Sequence, residues 1–154
     1  MQTLKLMNNG LCSSSHSPEV EISFDEWRAA NFSVGDKNAL AIDNDVNLQD
    51  LTQDVSAFDV IILEIPHFKD GRAYSQARRL REQHKFTGEI RARGDVGRDQ
   101  VLFLVRSGFT AFEIPIEQGD GFKKALKEFS QFYQAGADMA EPVWRLRSKR
   151  AIAA

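Results

Sequence analysis

The spacing of hydrophobic and polar positions changes character along this chain, and from residue 58 onward it alternates regularly between two periods. Residues 59–65 form a β-branched run ended by Pro66, the pattern of a strand buried on both faces. Residues 72–84 place Ala73, Ala77 and Leu80 at helical spacing, with arginines on the other side. Residues 88–93 read as the next strand, broken by Gly94 and Gly97. Residues 98–107 then read as an apolar helix that Gly108 stops at its C′ position. Residues 110–114 are a further strand, closed by Pro115. The last periodic stretch, residues 121–134, predicts a helix behind Asp120 as N-cap, with Phe122, Ala125, Leu126, Phe129, Phe132 and Tyr133 on a core-facing stripe, ended by Gly136.

The first third is less periodic. Residues 1–21, with Ser13, Ser14, Ser15, Ser17 and Pro18, read as a loose arm. Ser23-Phe24-Asp25-Glu26 is a capping box opening a short helix through Trp27 to Ala30. Gly35 and Asp36 mark a turn before a strand at residues 39–42, which Asp43-Asn44-Asp45 closes. Leu48, Leu51 and Val55 lie at helical spacing and predict a short helical link. Strands alternating with helices predict an α/β domain with a mostly parallel sheet of about four to five strands. An open flavodoxin-like sheet and half of a (β/α)₈ barrel both fit that pattern. The expected layout is an arm at residues 1–21, an α/β domain at 22–136 and a basic, mobile tail at 137–154.

Composition narrows the chemistry. The chain has 154 residues, 42% hydrophobic and 27% charged, which suits one globular domain. Its single cysteine, Cys12, excludes an internal disulfide and a Cys₄ zinc or iron–sulfur site built from this chain alone. The longest apolar runs, at residues 60–63 and 101–105, fall far short of the ~20 residues of a membrane span. The N-terminus shows no apolar stretch of signal-peptide length, so a cytoplasmic location is expected.

The net charge of −2 conceals an asymmetry: residues 1–56 carry three basic and nine acidic side chains, and residues 67–107 carry ten basic and five acidic. Eight of those ten cations are arginines, at 72, 78, 79, 81, 91, 93, 98 and 106, and arginine grips planar oxyanions bidentately. A solvated basic face with local ion pairs is the plainer account.

Ligands in parallel α/β folds gather at the carboxyl ends of the strands. That rule selects two loops, His67-Phe68-Lys69-Asp70-Gly71-Arg72-Ala73-Tyr74-Ser75 and Arg91-Ala92-Arg93-Gly94-Asp95-Val96-Gly97-Arg98-Asp99. Each sets glycine, aspartate and arginine ahead of a helix, where free amides favour an anion. Arg72, Arg91 and Arg98 can close around such an anion. Alternatively, Asp70 and Asp95 cap helices and Arg91 pairs with Asp95 or Asp99 as a buried strut. Of His16, His67 and His84, only His67 lies in a selected loop, and no two are spaced as metal ligands. There is no Walker loop or Gly-x-Gly-x-x-Gly in a strand–turn–helix setting. The central segment offers few aromatics for nucleic-acid binding, so neither nucleic acid nor a membrane is an expected partner.

Residues 68–82, Gly88-Glu89-Ile90-Arg91-Ala92, Gly94-Asp95-Val96-Gly97-Arg98-Asp99-Gln100, Ser107-Gly108-Phe109-Thr110-Ala111-Phe112-Glu113 and Phe132-Tyr133-Gln134 with a tail at 142–147 together resemble one bacterial family, domain of unknown function 934 (DUF934). The likeness covers roughly residues 22–147. Its members are commonly labelled probable oxidoreductases of sulfite reduction, mainly because they are encoded beside assimilatory sulfite reductase and adenylylsulfate reductase. The resemblance therefore implies an accessory or subunit-like protein of sulfur assimilation, with sulfite reductase or another enzyme of that pathway as partner; a homo-oligomer stays open. The anion-binding residues expected from the strand-end loops are Asp70, Gly71, Arg72, Tyr74, Ser75, Arg91, Gly94, Asp95, Gly97, Arg98 and Asp99, and most of them also fall on positions of the family's motif. Alternatives are an oxidoreductase with bound flavin or nicotinamide, and a non-catalytic interaction module for sulfite reductase. Many relatives carry cysteine where this chain has Ser107, so a thiol there is not part of this chain's chemistry.

Overall fold

The computed structural model describes residues 1–7, 10–14, 20–29, 38–51, 54–138 and 140–152. Seven strands form one sheet: β1 (Gln2–Met7), β2 (Gly10–Ser14), β3 (Val20–Ser23), β4 (Asn38–Ile42), β5 (Val60–Ile65), β6 (Glu89–Gly94) and β7 (Ala111–Ile114). Their order is β2-β1-β7-β6-β5-β4-β3. Strands β3 to β7 are parallel and follow chain order, and β1 joins β7 antiparallel. That succession lacks the reversal of a flavodoxin-like order.

The helices are α1 (Phe24–Ala29), α2 (Arg72–Glu82), α3 (Val101–Ser107), α4 (Gly119–Ala125) and α5 (Val143–Ile152). Parallel strands added in one direction through right-handed crossovers place every connecting helix on the same face. The main core is built that way. Trp27 of α1, Ala77 of α2, Leu104 of α3 and Phe122 of α4 all join the cluster holding Leu40, Ile61, Ile90 and Phe112 of the sheet. The opposite face carries only a small separate cluster, Ala39, Val60 and Ile62. The remaining side chains on that face are largely charged.

One contact there reports the shape of the sheet. The Arg93 guanidinium donates to Glu21 at 2.7 and 2.8 Å. By register Glu21 lies level with Ala39, Val60 and then Glu89, so Arg93 is three strands over and four residues further along. On a flat sheet that offset is roughly 20 Å between Cα atoms, beyond the combined reach of an arginine and a glutamate. The sheet therefore coils and twists so that the helix-free face is concave.

Four elements differ from the sequence reading. The loose arm contains a hairpin, β1–β2, added to one sheet edge, and runs into β3 at the other, and these three raise the strand count from the four read in sequence to seven. Its alternation is short: Leu4 and Leu11 face the core, while Lys5 and Cys12 pair on the other face. The helix expected over 121–134 starts behind Gln118 and ends at Ala125, leaving Phe129 and Tyr133 exposed. Arg106 takes up the segment downstream of that helix. It lies 4.0 Å from the Phe132 ring and bonds the Gln134 carbonyl and Asp138. The basic tail forms α5 instead of a coil. The capping box is present, with the Glu26 amide donating to Ser23 Oγ at 3.3 Å and the Ser23 amide to Glu26 Oε2 at 3.1 Å. The helical link after β4 is one short 3₁₀ turn, Leu48–Asp50. Ser15, His16, Ser17, Pro18, Ala30, Gly35 and Asp36 lie outside the described residues.

Leu4 is 0% exposed, so Leu4→Ala should cost about 2–5 kcal/mol of unfolding free energy in a urea titration. A loose N-terminal arm would instead leave the midpoint unmoved.

Candidate functional site

The loops after β5 and β6 meet at the carboxyl end of the sheet. The Asp95 amide donates to Ile65 O at 2.7 Å, tying the second loop to the end of β5. The Phe68 amide donates to Asp95 Oδ2 at 3.0 Å, and Gln100 Nε2 donates to Phe68 O at 2.8 Å. Gln100 Oε1 also accepts from the Gly97 amide at 3.1 Å. A Cβ at Gly94 would collide with Ile65 O, so that close approach requires glycine.

The turn after β4 joins from the other side. Asn44 Nδ2 donates to Asp70 Oδ2 at 2.6 Å, and the buried Gln76 Nε2 donates to Asp43 O and Val46 O at 2.8 and 2.9 Å. Three strand-to-helix loops are thus fastened by side chains reaching between them.

Asp70 sits at the start of α2. It accepts from the Arg72 amide at 3.1 Å, from Arg72 Nε at 3.0 Å and from Arg72 Nη2 at 2.7 Å. The Arg72 side-chain hydrogen bonds, then its amide, pull the Asp70 carboxyl down to about 2. The helix end expected to attract an anion already holds the chain's own carboxylate.

The other site residues fall as follows. Gly71 occupies the N-cap position of α2 with open space around it. Tyr74 packs half-buried against the core, and burial, then the Asp99 carboxylate, push its hydroxyl above the ordinary range. Ser75 and Asp99 are exposed. Asp95 holds the Phe68 amide instead of an arginine. The Gly97 amide is taken by Gln100. Arg98 is exposed, and its side chain has no hydrogen bond or ion pair among the described residues.

Arg91 does not join these loops. It lies in the middle of β6, side by side with Ile62 and Ala111, and points to the concave face. There it is 2% exposed and bonds Glu89 at 2.6 and 2.8 Å and Glu113 at 3.2 Å. It is a buried strut, but its partners are these glutamates and not Asp95 or Asp99. Strand alternation explains the choice, because residues 89, 91 and 93 share one face. Lys5 completes the group at 2.8 Å from Glu89, and Glu64 joins Arg93 with Glu21. Of these glutamates only Glu89 stands two residues from its arginine along one strand; Glu113, Glu64 and Glu21 come from other strands, and they, like Asn44 and Gln76, carried no local signal.

The arginine-rich segment is therefore mostly internal. Arg78 pairs with Glu82, Arg79 with Asn47, and Arg81 with the carbonyls of Phe86, Gly88 and Gly108. Arg72, Arg91, Arg93 and Arg106 hold carboxylates. Arg98 alone of the eight lacks a partner among the described residues.

A second concavity, about 530 Å³, lies outside the helices between α2, α3 and the segment after α4. Phe103, Phe129, Phe132 and Tyr133 line it, with Ser107, whose hydroxyl donates to Phe103 O at 2.9 Å. No helix among the described residues is long and apolar enough to cross a membrane.

The class defined is an α/β domain with a coiled, mostly parallel sheet, helices on one face, and three loops gathered at the carboxyl ends of the strands. The family model described as bacterial protein of unknown function (DUF934) matches residues 39–144, and the chain belongs to that family. Neither a curated protein nor a solved structure matches it.

Burial pushes the Glu89 carboxyl up, but hydrogen bonds from Lys5 and Arg91 outweigh it and leave it below the ordinary glutamate value. A depressed carboxylate contributes stability above its unfolded value of about 4.5 that is lost as pH falls through the folded one. Glu89→Gln should therefore cost about 3 kcal/mol at neutral pH and flatten the loss of stability on acidification. Denaturant titrations from neutral to acid pH check this, and an unchanged profile would show the pair to be idle.

Proposed function

We propose that this protein is an accessory or subunit-like factor of assimilatory sulfite reduction that binds an oxyanion or phosphate-bearing ligand at the carboxyl ends of its parallel strands. One observation carries the reading: Arg98 is the one arginine of the eight whose side chain stands without a partner among the described residues, on a rim where Asp70, Asp95 and Gln100 are already committed. Arg72 is the second contact. Asp70 holds its Nε and Nη2, and Nη1 has no partner among the described residues, so the guanidinium is oriented while one edge stays available. Arg91 belongs to this reading as a brace under β6. The pathway comes from what family membership implies.

Calorimetric titration of sulfite, sulfate and inorganic phosphate tests the site. Arg98→Ala should weaken binding roughly 10- to 100-fold, as expected for a lost charge-assisted hydrogen bond. Failure of the wild-type protein to bind any of these anions would refute the reading. For the pathway, a deletion strain should grow on cysteine and fail on sulfate and sulfite; growth on all three removes the assignment.

A second reading, a non-catalytic module docking on sulfite reductase, is favoured by the exposed Phe103, Phe129 and Tyr133 around the outer concavity. Co-purification that survives Arg98→Ala and is lost in Phe103→Ser would select it.

A further inference from the structure

The same rim contains an aromatic ring whose placement the loop hydrogen bonds alone do not explain. Phe68 is 41% exposed, yet its backbone is held from both sides by the neighbouring loop. Its amide donates to Asp95 at 3.0 Å and its carbonyl accepts from Gln100 at 2.8 Å. Its ring lies against Gly97, where a Cβ would come within 2.8 Å of Cε2, so only glycine admits the ring there. A phenyl on a surface loop ordinarily folds onto the nearest apolar surface. This one is clamped in place, half open to water, beside the residue that precedes Arg98.

We infer that Phe68 is a stacking platform and that the ligand is a phosphate ester of a planar heterocycle, of the nucleotide type. The ring stacks on Phe68 and Arg98 takes the phosphate. A phenyl ring open to water gives a planar base a sequence-tolerant stacking partner, and a guanidinium supplies the fork that phosphate oxygens match. Asp95, Gln100 and Gly97 are positioning residues, since they act on the ligand through Phe68. This inference rests on the anion-site reading above and adds to it the substrate class.

The test uses the full chain with four probes: AMP, flavin mononucleotide, ribose 5-phosphate and inorganic phosphate. AMP or flavin mononucleotide should bind roughly 5- to 150-fold more tightly than ribose 5-phosphate, the range of one base–aromatic stack. Phe68→Leu should erase that preference while leaving ribose 5-phosphate and inorganic phosphate affinities unchanged, and Phe68→Trp should keep it. Gly97→Ala should reduce it by displacing the ring. Thermal melts of each variant establish that the fold is intact. Equal affinity for ringed and ringless esters, or ringed binding unaffected by Phe68→Leu, overturns the inference and leaves the anion site standing as long as Arg98→Ala weakens phosphate. Absence of binding by all four probes overturns the inference, and the anion-site reading falls with it only if sulfite and sulfate fail to bind as well.

Discussion

Five parallel strands laid down in chain order through right-handed crossovers can put their helices on one face only. Everything else in this molecule answers to that constraint. The covered face needs a continuous apolar layer, and Leu40, Ile61, Leu63, Ile90 and Phe112 supply it. The uncovered face has no helix to bury its side chains among the described residues, so it is furnished with charges that satisfy one another. Arg91 shows how far this goes, with its guanidinium almost wholly buried between Glu89 and Glu113. A buried pair is weak evidence of net stability, because desolvation offsets much of the Coulomb gain, but losing one member leaves the other charge stranded. The network ties β6 to β7 through Glu113 and to β1 through Lys5.

That concavity also places the loops. Coiling the sheet crowds the carboxyl ends of β4, β5 and β6 together, and their loops then lie within side-chain reach of one another. Asn44 reaches Asp70, and Asp95 and Gln100 reach Phe68. Each tie satisfies a polar group that would otherwise stand open at the rim. The result is a rim held by its neighbours, a suitable support for a ligand contact that must be presented in one geometry.

Much of the fold was legible because β5 is apolar at every position but Glu64 and α2 repeats alanine and leucine at helical spacing. The sheet edges were not, since an edge strand such as β2 shows only one or two inward positions, too few to establish a period of two. The helix after β7 was overread for the opposite reason. Its aromatic stripe is regular in sequence, but the segment that carries Phe132 and Gln134 instead lies against Arg106. In the site, the loops were legible from strand ends and glycines. The partners of the arginines were not, because they depend on which side of a strand each residue faces and on how strongly the sheet curls.

The charge pattern changes meaning under this account. A block of eight arginines in a segment with a surplus of cations looks like a surface made to attract anions. Yet Arg81 spends its donors on three backbone carbonyls, Arg93 spans the curl of the sheet, and Arg106 fastens the segment after α4. Arginine suits such work because one planar group can satisfy several acceptors at once and keeps its charge when half-buried. The surplus of cations is therefore mostly a framework, and counting them overstates the anion site. What separates a binding arginine from a structural one is the absence of an internal partner at a place where the backbone is already fastened, and among the described residues Arg98, next in sequence to the Gly97 that the Phe68 ring lies against, meets both conditions.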